Sequence, residues 1–318
     1  MRALDSRFSG IIPPIVTPLI ERDQLDFDAC DRILQRMVSA GVAGVFVLGT
    51  TGEAPGLSYG LRGELVDYVC NAVGTQIPVL VGVTDTSATE TISMAEHAAR
   101  AGASAVVLAP PFYFGLTQGE LLGYLERIVP ALPLPVFLYN NPSLTRTTIA
   151  PETARRAAGI KQIIGLKDSS GDLEYLASVM EAVSHRPDFG VFCGPEELLA
   201  DAMRLGARGG VTGGANLFPQ LYVDMYHAAV SGDGERIGRL QQIVDTISTG
   251  VYQQTADPSS YLRGMKCALA ALGLCPNILA EPYEPFRGRE AAAIRNNIHE
   301  IQSMLHDMGS PVAPAAVD

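Results

Sequence analysis

Residues 163–184, IIGLKDSSGDLEYLASVMEAVS, contain the structural unit on which the predicted fold depends. A continuous apolar run over residues 163–168 leads into a polar turn at 168–171 and then into an amphipathic segment at 172–184. Continuous rather than alternating hydrophobicity is typical of a strand in a parallel sheet that is covered on both faces. The stretch therefore predicts a strand, a turn and a helix that packs back onto the sheet.

The same unit recurs along most of the chain. Short runs rich in Val, Ile and Leu occupy residues 10–19, 42–49, 78–84, 105–110, 135–140, 163–168, 189–194 and 209–214. Amphipathic segments lie between the runs, and several end in a glycine just before the next run, as helices commonly do. Eight such units predict a (β/α)8 TIM barrel. A doubly wound open sheet is the alternative, but no Gly-x-Gly-x-x-Gly follows the first run.

The strand-like runs stop after about residue 230. We expect residues 1–230 to form the barrel and to carry the active site. Helical patterns at 231–250, 258–274 and 289–308 predict a C-terminal helical appendage over 231–308. Residues 309–318, rich in Pro and Ala, are expected to fray.

The composition excludes several classes of function. The chain has 318 residues, of which 47% are hydrophobic, and a net charge of -11 argues against a nucleic-acid partner. No apolar run reaches the roughly 18 residues of a membrane span, and the N-terminus lacks the apolar core of a signal peptide. Five cysteines scattered through apolar segments predict reduced thiols in a cytoplasmic protein. The five histidines have no metal-ligand spacing, so no metal is expected.

Lys167 is the residue that first points to chemistry. It is one of three lysines, and it ends the apolar run over residues 163–168. Poor solvation at the mouth of a buried strand favours the neutral, nucleophilic form of an amine. The alternative is a strand-end lysine that pairs with Asp168.

The ends of the other predicted strands carry groups that suit the same chemistry, because barrel active sites lie at the C-terminal ends of the strands. Tyr139 ends the fifth run, and the turn Gly49-Thr50-Thr51-Gly52 follows the second. Exposed amides and hydroxyls in a tight turn suit a carboxylate or phosphate. Taken singly, Tyr139 fits a core aromatic and the turn fits a threonine cap. Together an amine, a phenol, hydroxyls and amides are what Schiff-base chemistry on a keto acid requires.

Three segments, GTTGE at 49–53, YNNP at 139–142 and GLKDSSGD at 165–172, resemble the dihydrodipicolinate synthase and N-acetylneuraminate lyase family of class I aldolases. The resemblance runs from about residue 8 to residue 274. It implies that Lys167 forms an imine with pyruvate or a 2-keto acid without any cofactor, and that Tyr139 is the general acid/base.

The resemblance assigns further roles. It implies that Thr50 relays the proton of the phenol, and that Thr51 with Gly49 and the neighbouring amides holds the substrate carboxylate. The backbone carbonyl of Val211 is expected to line the imine pocket. Tyr113, on the apolar loop 110–116, matches a tyrosine that reaches into the neighbouring subunit's site, which implies a homo-oligomer, a tetramer built as a dimer of dimers.

Two departures bear on the substrate. Leu144 stands where the synthases carry an arginine for the carboxylate of aspartate semialdehyde, and Arg146 lies two residues further on. The second departure is the segment Gly194-Pro195-Glu196-Glu197. We expect Gly194 and Glu196 to contact substrate, because carboxylates accept hydrogen bonds from sugar hydroxyls. The alternative is that Glu196 and Glu197 only open the next helix, where negative charge suits the helix dipole.

The predicted activity is retro-aldol cleavage, or the reverse condensation, of a 2-keto-3-deoxy sugar acid or a related 2-keto acid. Dihydrodipicolinate synthase, N-acetylneuraminate lyase and a keto-acid dehydratase that uses the same imine are the enzymatic alternatives. A barrel that only binds a metabolite is a further alternative, but such a protein needs neither the amine nor the phenol.

Overall fold

A computed structural model describes residues 8–309 of the chain. Apart from Gly309, the predicted frayed tail lies outside the described residues. Within residues 8–309, no helix is both long enough and apolar enough to cross a bilayer. All five cysteines are buried and free.

Eight parallel strands form one sheet, and each of the eight predicted runs contains one of them. The strands of the chain, including two that lie outside this sheet, are β1 (Gly10–Ile11), β2 (Leu19–Glu21), β3 (Gln24–Leu25), β4 (Val45–Val47), β5 (Val79–Gly82), β6 (Ala105–Leu108), β7 (Val136–Asn140), β8 (Ile163–Asp168), β9 (Gly190–Cys193) and β10 (Gly209–Gly210). The order in the sheet is β1-β10-β9-β8-β7-β6-β5-β4.

The sheet closes where the segment after β1 meets β4. Ala43 N donates to Ile11 O at 2.8 Å and Phe46 N donates to Pro13 O at 2.8 Å. Ile15 N in turn donates to Phe46 O at 2.9 Å. These bonds join the two edges of the sheet, so the predicted TIM barrel is confirmed.

The first strand is shorter than predicted. The run over residues 10–19 was expected to be one strand, but β1 ends at Ile11 and the chain continues irregularly to Pro18. Pro13, Pro14 and Pro18 have no N–H to donate to a ladder, which interrupts regular pairing. Leu19 instead begins a small antiparallel hairpin formed by β2 and β3.

One helix follows every barrel strand except β7, which is followed by two, and three more lie between these and residue 309. The helices are α1 (Phe27–Ser39), α2 (Tyr59–Val73), α3 (Ala88–Ala101), α4 (Gln118–Ile128), α5 (Pro142–Thr145), α6 (Pro151–Ala157), α7 (Leu173–Ala182), α8 (Leu199–Leu205), α9 (Pro219–Ser231), α10 (Gly234–Ile247), α11 (Ser260–Ala271) and α12 (Gly288–Asp307). The last barrel helix, α9, ends at Ser231, and α10 to α12 are the helices predicted beyond residue 230. Residues 248–252 continue α10 as a single π-helical turn.

The interior of the barrel is filled by side chains. Its core cluster contains Phe8, Ile12, Phe46, Leu80, Ala105, Val107, Ala109, Phe137, Tyr139, Phe192 and Val211. Aromatic rings meet edge to face there, as Phe137 and Phe192 do with centroids 5.7 Å apart. Because the interior is packed, reactive groups are presented only at the ends of the strands.

Candidate active site

Lys167 and Tyr139 lie side by side on adjacent strands. In the register of β7 and β8, Tyr139 is paired with Lys167. Lys167 Nζ lies 4.2 Å from the centroid of the Tyr139 ring and 5.2 Å from that of Phe46. The lysine is 6% exposed. A nearly buried amine therefore stands over aromatic faces at the C-terminal end of the barrel.

Asp168 is turned away from the lysine. Its Oδ1 accepts hydrogen bonds from Asn140 Nδ2 at 2.7 Å and from Ser170 N at 3.1 Å, and its Oδ2 accepts one from Ser170 Oγ at 2.8 Å. Successive residues of a strand point to opposite faces, so Lys167 and Asp168 diverge. The arrangement does not match the alternative of a lysine paired with its neighbouring aspartate.

The Tyr139 hydroxyl has three polar neighbours, Thr50, Asn141 and Ser169. It lies 3.3 Å from Thr50 Oγ1, and Asn141 Nδ2 donates to it at 2.9 Å. Burial by itself raises the pKa of Tyr139. The positive charge of Lys167 and the hydrogen bonds from Thr50, Ser169 and Asn141 outweigh burial, so the pKa lies below its ordinary value. The geometry favours a phenol that can give up and regain a proton.

The predicted carboxylate-binding turn is compact and strained. Gly52 N donates to Gly49 O at 3.1 Å, and Glu53 N donates to Thr50 O at 2.9 Å. The amides of Thr50 and Thr51 are not used in these two bonds. A side chain at position 49 would meet the Phe46 ring at 2.8 Å, which explains the glycine. Glu53 adopts a left-handed backbone with φ 55°, which is uncommon for a residue other than glycine.

Helix α11 contacts this turn through a hydroxyl pair. Thr51 Oγ1 and the hydroxyl of Tyr261 are 3.0 Å apart. Tyr261 is partly buried, and its burial raises the pKa of its phenol, so it stays protonated and able to donate. Sequence reasoning missed Tyr261, because nothing in a helical pattern marks which side chain reaches a turn some 200 residues earlier.

A buried ion pair ties the same turn to the C-terminal helices. Lys266 Nζ lies 3.0 Å from Glu53 Oε1, and both side chains are 1% exposed. Lys266 also donates to Thr17 O at 2.7 Å and to Ile278 O at 2.6 Å. Glu53 Oε2 accepts a hydrogen bond from Ala280 N at 2.8 Å. The ammonium group of Lys266 is therefore held by these structural contacts. Lys167 is the other buried lysine, and it is available for chemistry.

This chain resembles known proteins over nearly its whole length. The model of the Dihydrodipicolinate synthetase family matches residues 7–301. The chain belongs to this family. It is therefore an enzyme, a lyase of a family of pyruvate aldolases, and both the predicted resemblance and the predicted enzyme class are confirmed.

The relatives carry more than one substrate name. The Escherichia coli K12 protein named probable 2-dehydro-3-deoxy-D-pentonate aldolase YjhH is 36% identical over 229 residues, which cover 71% of this chain and 76% of YjhH. A structure of dihydrodipicolinate synthase from Bacteroides thetaiotaomicron is 46% identical, has a TM-score of 0.89, and the match covers 92% of this chain and 98% of that one. The structure of E. coli K12 YagE in complex with pyruvate is 29% identical, with a TM-score of 0.88, and the match covers 93% and 99% of the two chains.

Glu196, which was predicted to contact substrate, hydrogen-bonds to groups of the protein itself. It is buried, and its carboxylate accepts hydrogen bonds from the hydroxyls of Tyr222 at 2.5 Å and Tyr252 at 2.9 Å and from Gly214 N at 2.7 Å. Burial raises its pKa to about 7. Three donors fill most of the acceptor positions of this buried carboxylate, which favours a supporting role behind the site over the expected contact with sugar hydroxyls.

Glu197 also faces the C-terminal helices. Its Oε1 accepts a hydrogen bond from Ser248 Oγ at 2.5 Å. Both glutamates lie in a short 3-10 helix, Glu196–Leu198, directly before α8. This agrees with the alternative that the pair opens the next helix.

Gly194 directly follows β9, which pairs with the lysine strand β8, and Val211 directly follows β10, which lies on the other side of β9. Gly194 N donates to Asp168 O at 2.7 Å, and a side chain at position 194 would overlap Ser169 Oγ. Val211 N donates to Cys193 O at 2.8 Å. Val211 also lines, with Lys167, the small apolar space inside the barrel. Val211 thus shares this space with Lys167 and Gly194 contacts the strand that carries Lys167, while their roles at an imine pocket stay predictions.

Tyr113 and Leu144 are exposed rather than gathered around Lys167. Tyr113 is 74% exposed and the adjacent Phe114 76%, and their ring centroids are 5.1 Å apart. Leu144 lies in α5, which begins directly after Asn141, and is also exposed. A single chain therefore does not bring Tyr113 together with Tyr139 and Thr50.

Proposed function

We propose that the protein is a Schiff-base, pyruvate-dependent aldolase that cleaves or forms a 2-keto-3-deoxy sugar acid or a related 2-keto acid. The observation that carries the proposal is the pairing of Lys167 with Tyr139 across β7 and β8, with Nζ 4.2 Å from the phenol ring. Amine and phenol are presented together, and Thr50 lies beside the phenol. This is the arrangement of a nucleophile with a proton carrier at hand.

In the cleavage direction, the amine of Lys167 adds to the C2 keto carbon, and water leaves to give a protonated imine. The phenolate of Tyr139 takes the proton of the C4 hydroxyl. The C3–C4 bond then breaks, its electron pair moves toward the imine nitrogen, and the aldehyde departs. The resulting enamine is protonated at C3, and water hydrolyses the imine to release pyruvate and free amine. No cofactor enters the sequence.

Two further groups complete the proposed site. Thr50, 3.3 Å from the Tyr139 hydroxyl, passes the proton to and from the substrate side. Thr51 and the amides of the turn hold the C1 carboxylate, since amide and hydroxyl donors in a tight turn suit an anion. Gly49, Gly194 and Val211 form the surrounding backbone wall.

The choice of substrate rests on Leu144 and on the names of relatives. YjhH is named as an aldolase of a 2-dehydro-3-deoxy sugar acid. Leu144 provides no cation for the second carboxylate of aspartate semialdehyde. Dihydrodipicolinate synthase is the second candidate, because the structure with 46% identity carries that name. Arg146, two residues after Leu144, is the cation that could bind the second carboxylate of the semialdehyde in that activity. It is exposed and caps the end of α5 in a left-handed conformation.

Steady-state kinetics separate the two candidates. Pyruvate release from 2-keto-3-deoxygluconate is compared with pyruvate-dependent consumption of aspartate semialdehyde, in the wild type and in Leu144→Arg and Arg146→Ala. We expect the semialdehyde to be a poor substrate that Leu144→Arg improves, because a missing charge-assisted contact costs about 2–5 kcal/mol, roughly 30- to several-thousand-fold in specificity. Efficient use of the semialdehyde by the wild type, lost in Arg146→Ala, would establish the synthase instead.

The site is proposed to be completed by a second copy of the chain. Tyr113 and Phe114 expose two aromatic rings side by side, and Tyr113 holds a positive φ of 90°. Exposed apolar clusters of this kind mark interaction surfaces. We propose a homo-oligomer, a tetramer of two dimers, in which Tyr113 enters the partner's site. The five buried free thiols are consistent with the proposed cytoplasmic location.

A further inference from the structure

We infer that Asn141 is a positioning residue that fixes the direction of proton flow through Tyr139. The inference rests on the proposed function, since it concerns the proton carrier of that reaction. Asn141 is buried, and its Nδ2 donates to the Tyr139 hydroxyl at 2.9 Å.

The orientation of the Asn141 amide is set by a second hydrogen bond. Ser143 Oγ donates to Asn141 Oδ1 at 2.8 Å. With Oδ1 bound to Ser143, the NH2 group faces Tyr139, and this is the end of the amide that a phenolate requires, because a negatively charged oxygen can accept a hydrogen bond only from a donor. The contact to the phenol oxygen is therefore a donor contact.

The backbone of Asn141 is held as well. Its carbonyl accepts hydrogen bonds from Leu144 N at 3.1 Å, Thr145 N at 3.0 Å and Thr145 Oγ1 at 2.9 Å. Asn141 is the N-cap residue of α5, yet its side chain makes no capping bond. Asparagine at an N-cap usually accepts from a helical amide, and that bond stabilises the helix. Here the side chain serves the phenol instead, which a purely structural role for Asn141 does not explain.

A donor on the phenol oxygen has two consequences. The neutral hydroxyl has one proton to give, so with Asn141 as a donor the Tyr139 proton is directed away from Asn141, toward Thr50 Oγ1 at 3.3 Å or the Ser169 hydroxyl. When that proton has left, the hydrogen bond from Asn141 stabilises the phenolate, because hydrogen bonds to a charged form favour it. The hydrogen bond from Asn141 is one of those that lower the pKa of Tyr139.

The test uses pyruvate alone, so it does not depend on the aldehyde half of the substrate. Imine formation and loss of a C3 proton exchange the methyl hydrogens of pyruvate with D2O, which NMR follows. The rate is measured across pH at saturating pyruvate, where the profile reports the enzyme-bound proton carrier. The variants are Asn141→Leu, Asn141→Asp and Ser143→Ala. The control is Asn297→Leu. Asn297 lies on α12, and this change removes the hydrogen bond that its side chain donates to Gly250 O.

We expect the midpoint of the rise with pH to move up by about one to two units in Asn141→Leu, the size expected for losing a hydrogen bond to a charged group. Asn141→Asp, which replaces the donor by an acceptor, should move the midpoint in the same direction. Asn297→Leu should leave it unchanged. Ser143 is exposed, so Ser143→Ala should fold normally and give a smaller upward shift, which keeps the test decisive if the position 141 variants do not fold.

The outcomes separate the inference from the proposed function. A wild type that catalyses no exchange, or Tyr139→Phe with wild-type exchange, would overturn the proposed function and the inference with it. Exchange that depends on Tyr139, with a midpoint unmoved in Asn141→Leu and Ser143→Ala, would overturn the inference alone. A lower exchange rate in these variants without any shift of the midpoint would also overturn the inference alone.

Discussion

Tyr261→Phe tests whether the C-terminal helices set the carboxylate-binding turn. The change removes one hydroxyl, the one that lies 3.0 Å from Thr51 Oγ1. The remaining ring keeps its edge-to-face contact with Tyr252, whose centroid is 4.9 Å away, so the fold should survive. Thr51 loses a fixed partner and its hydroxyl becomes free to rotate away from the substrate.

The expected size follows from the loss of one neutral hydrogen bond. Such a bond contributes about 0.5–1.5 kcal/mol net, which corresponds to roughly 2- to 12-fold in binding. Because Thr51 is proposed to hold the carboxylate in the ground state and the transition state alike, KM for the keto acid should rise by this factor while kcat stays nearly constant.

Initial-rate kinetics of pyruvate release decide the matter, with Tyr252→Phe as the matched control. The Tyr252 hydroxyl donates to Glu196 at 2.9 Å, whereas the hydroxyl partner of Thr51 is Tyr261. We expect the control to retain the wild-type KM. An unchanged KM in Tyr261→Phe, or an equal rise in Tyr252→Phe, would refute the reasoning.

Three further predictions concern the groups around the site. Lys266→Met should lower the free energy of unfolding in urea by about 3–5 kcal/mol, because it leaves Glu53 as an unpaired buried charge. The control Arg239→Met breaks an exposed ion pair and should change this free energy by under about 0.5 kcal/mol. Tyr139→Phe should keep the fold and slow turnover by roughly 10²–10⁴-fold, and near-normal turnover would mean that another group carries the proton. The pKa of Glu196 is raised from 4.5 to about 7, so the stability that Glu196 contributes is fully present below pH 4.5 and is lost as the pH rises through 7. Relative to Glu196→Gln, the wild type should therefore lose about 3 kcal/mol of unfolding free energy between pH 4.5 and 8 in urea titrations. Parallel pH profiles of the two proteins would contradict this.

The parts of the fold that could be predicted are those encoded locally. Each buried strand required a continuous apolar run, and the parallel arrangement then placed Lys167 and Tyr139 at one end of the sheet. The length of the first strand was mispredicted, because its apolar pattern continues through prolines that cannot pair. Residue type and periodicity were sufficient wherever a single segment decided the outcome.

Contacts between distant segments could not be predicted in this way. Glu196 follows a strand as a substrate-binding carboxylate would, but Tyr222 and Tyr252, which lie 26 and 56 residues later, both donate to its Oε1. Lys266 fits an ordinary helical pattern and gives no local sign of its pairing with Glu53. Asn141 stood in the YNNP segment, yet its role depends on which way its amide turns, and this depends on its contacts with Ser143 and the Tyr139 hydroxyl, which the sequence does not show.

The central claim is that Lys167 forms the imine, and trapping it with pyruvate and borohydride tests this most directly. Peptide mapping by mass spectrometry should place a single reduced pyruvyl adduct on Lys167 in the wild type and in Lys161→Ala, whose lysine is exposed. Lys167→Ala should show no adduct while remaining folded by circular dichroism. An adduct that persists in Lys167→Ala, or one found on Lys161 or Lys266 in the wild type, would contradict the account.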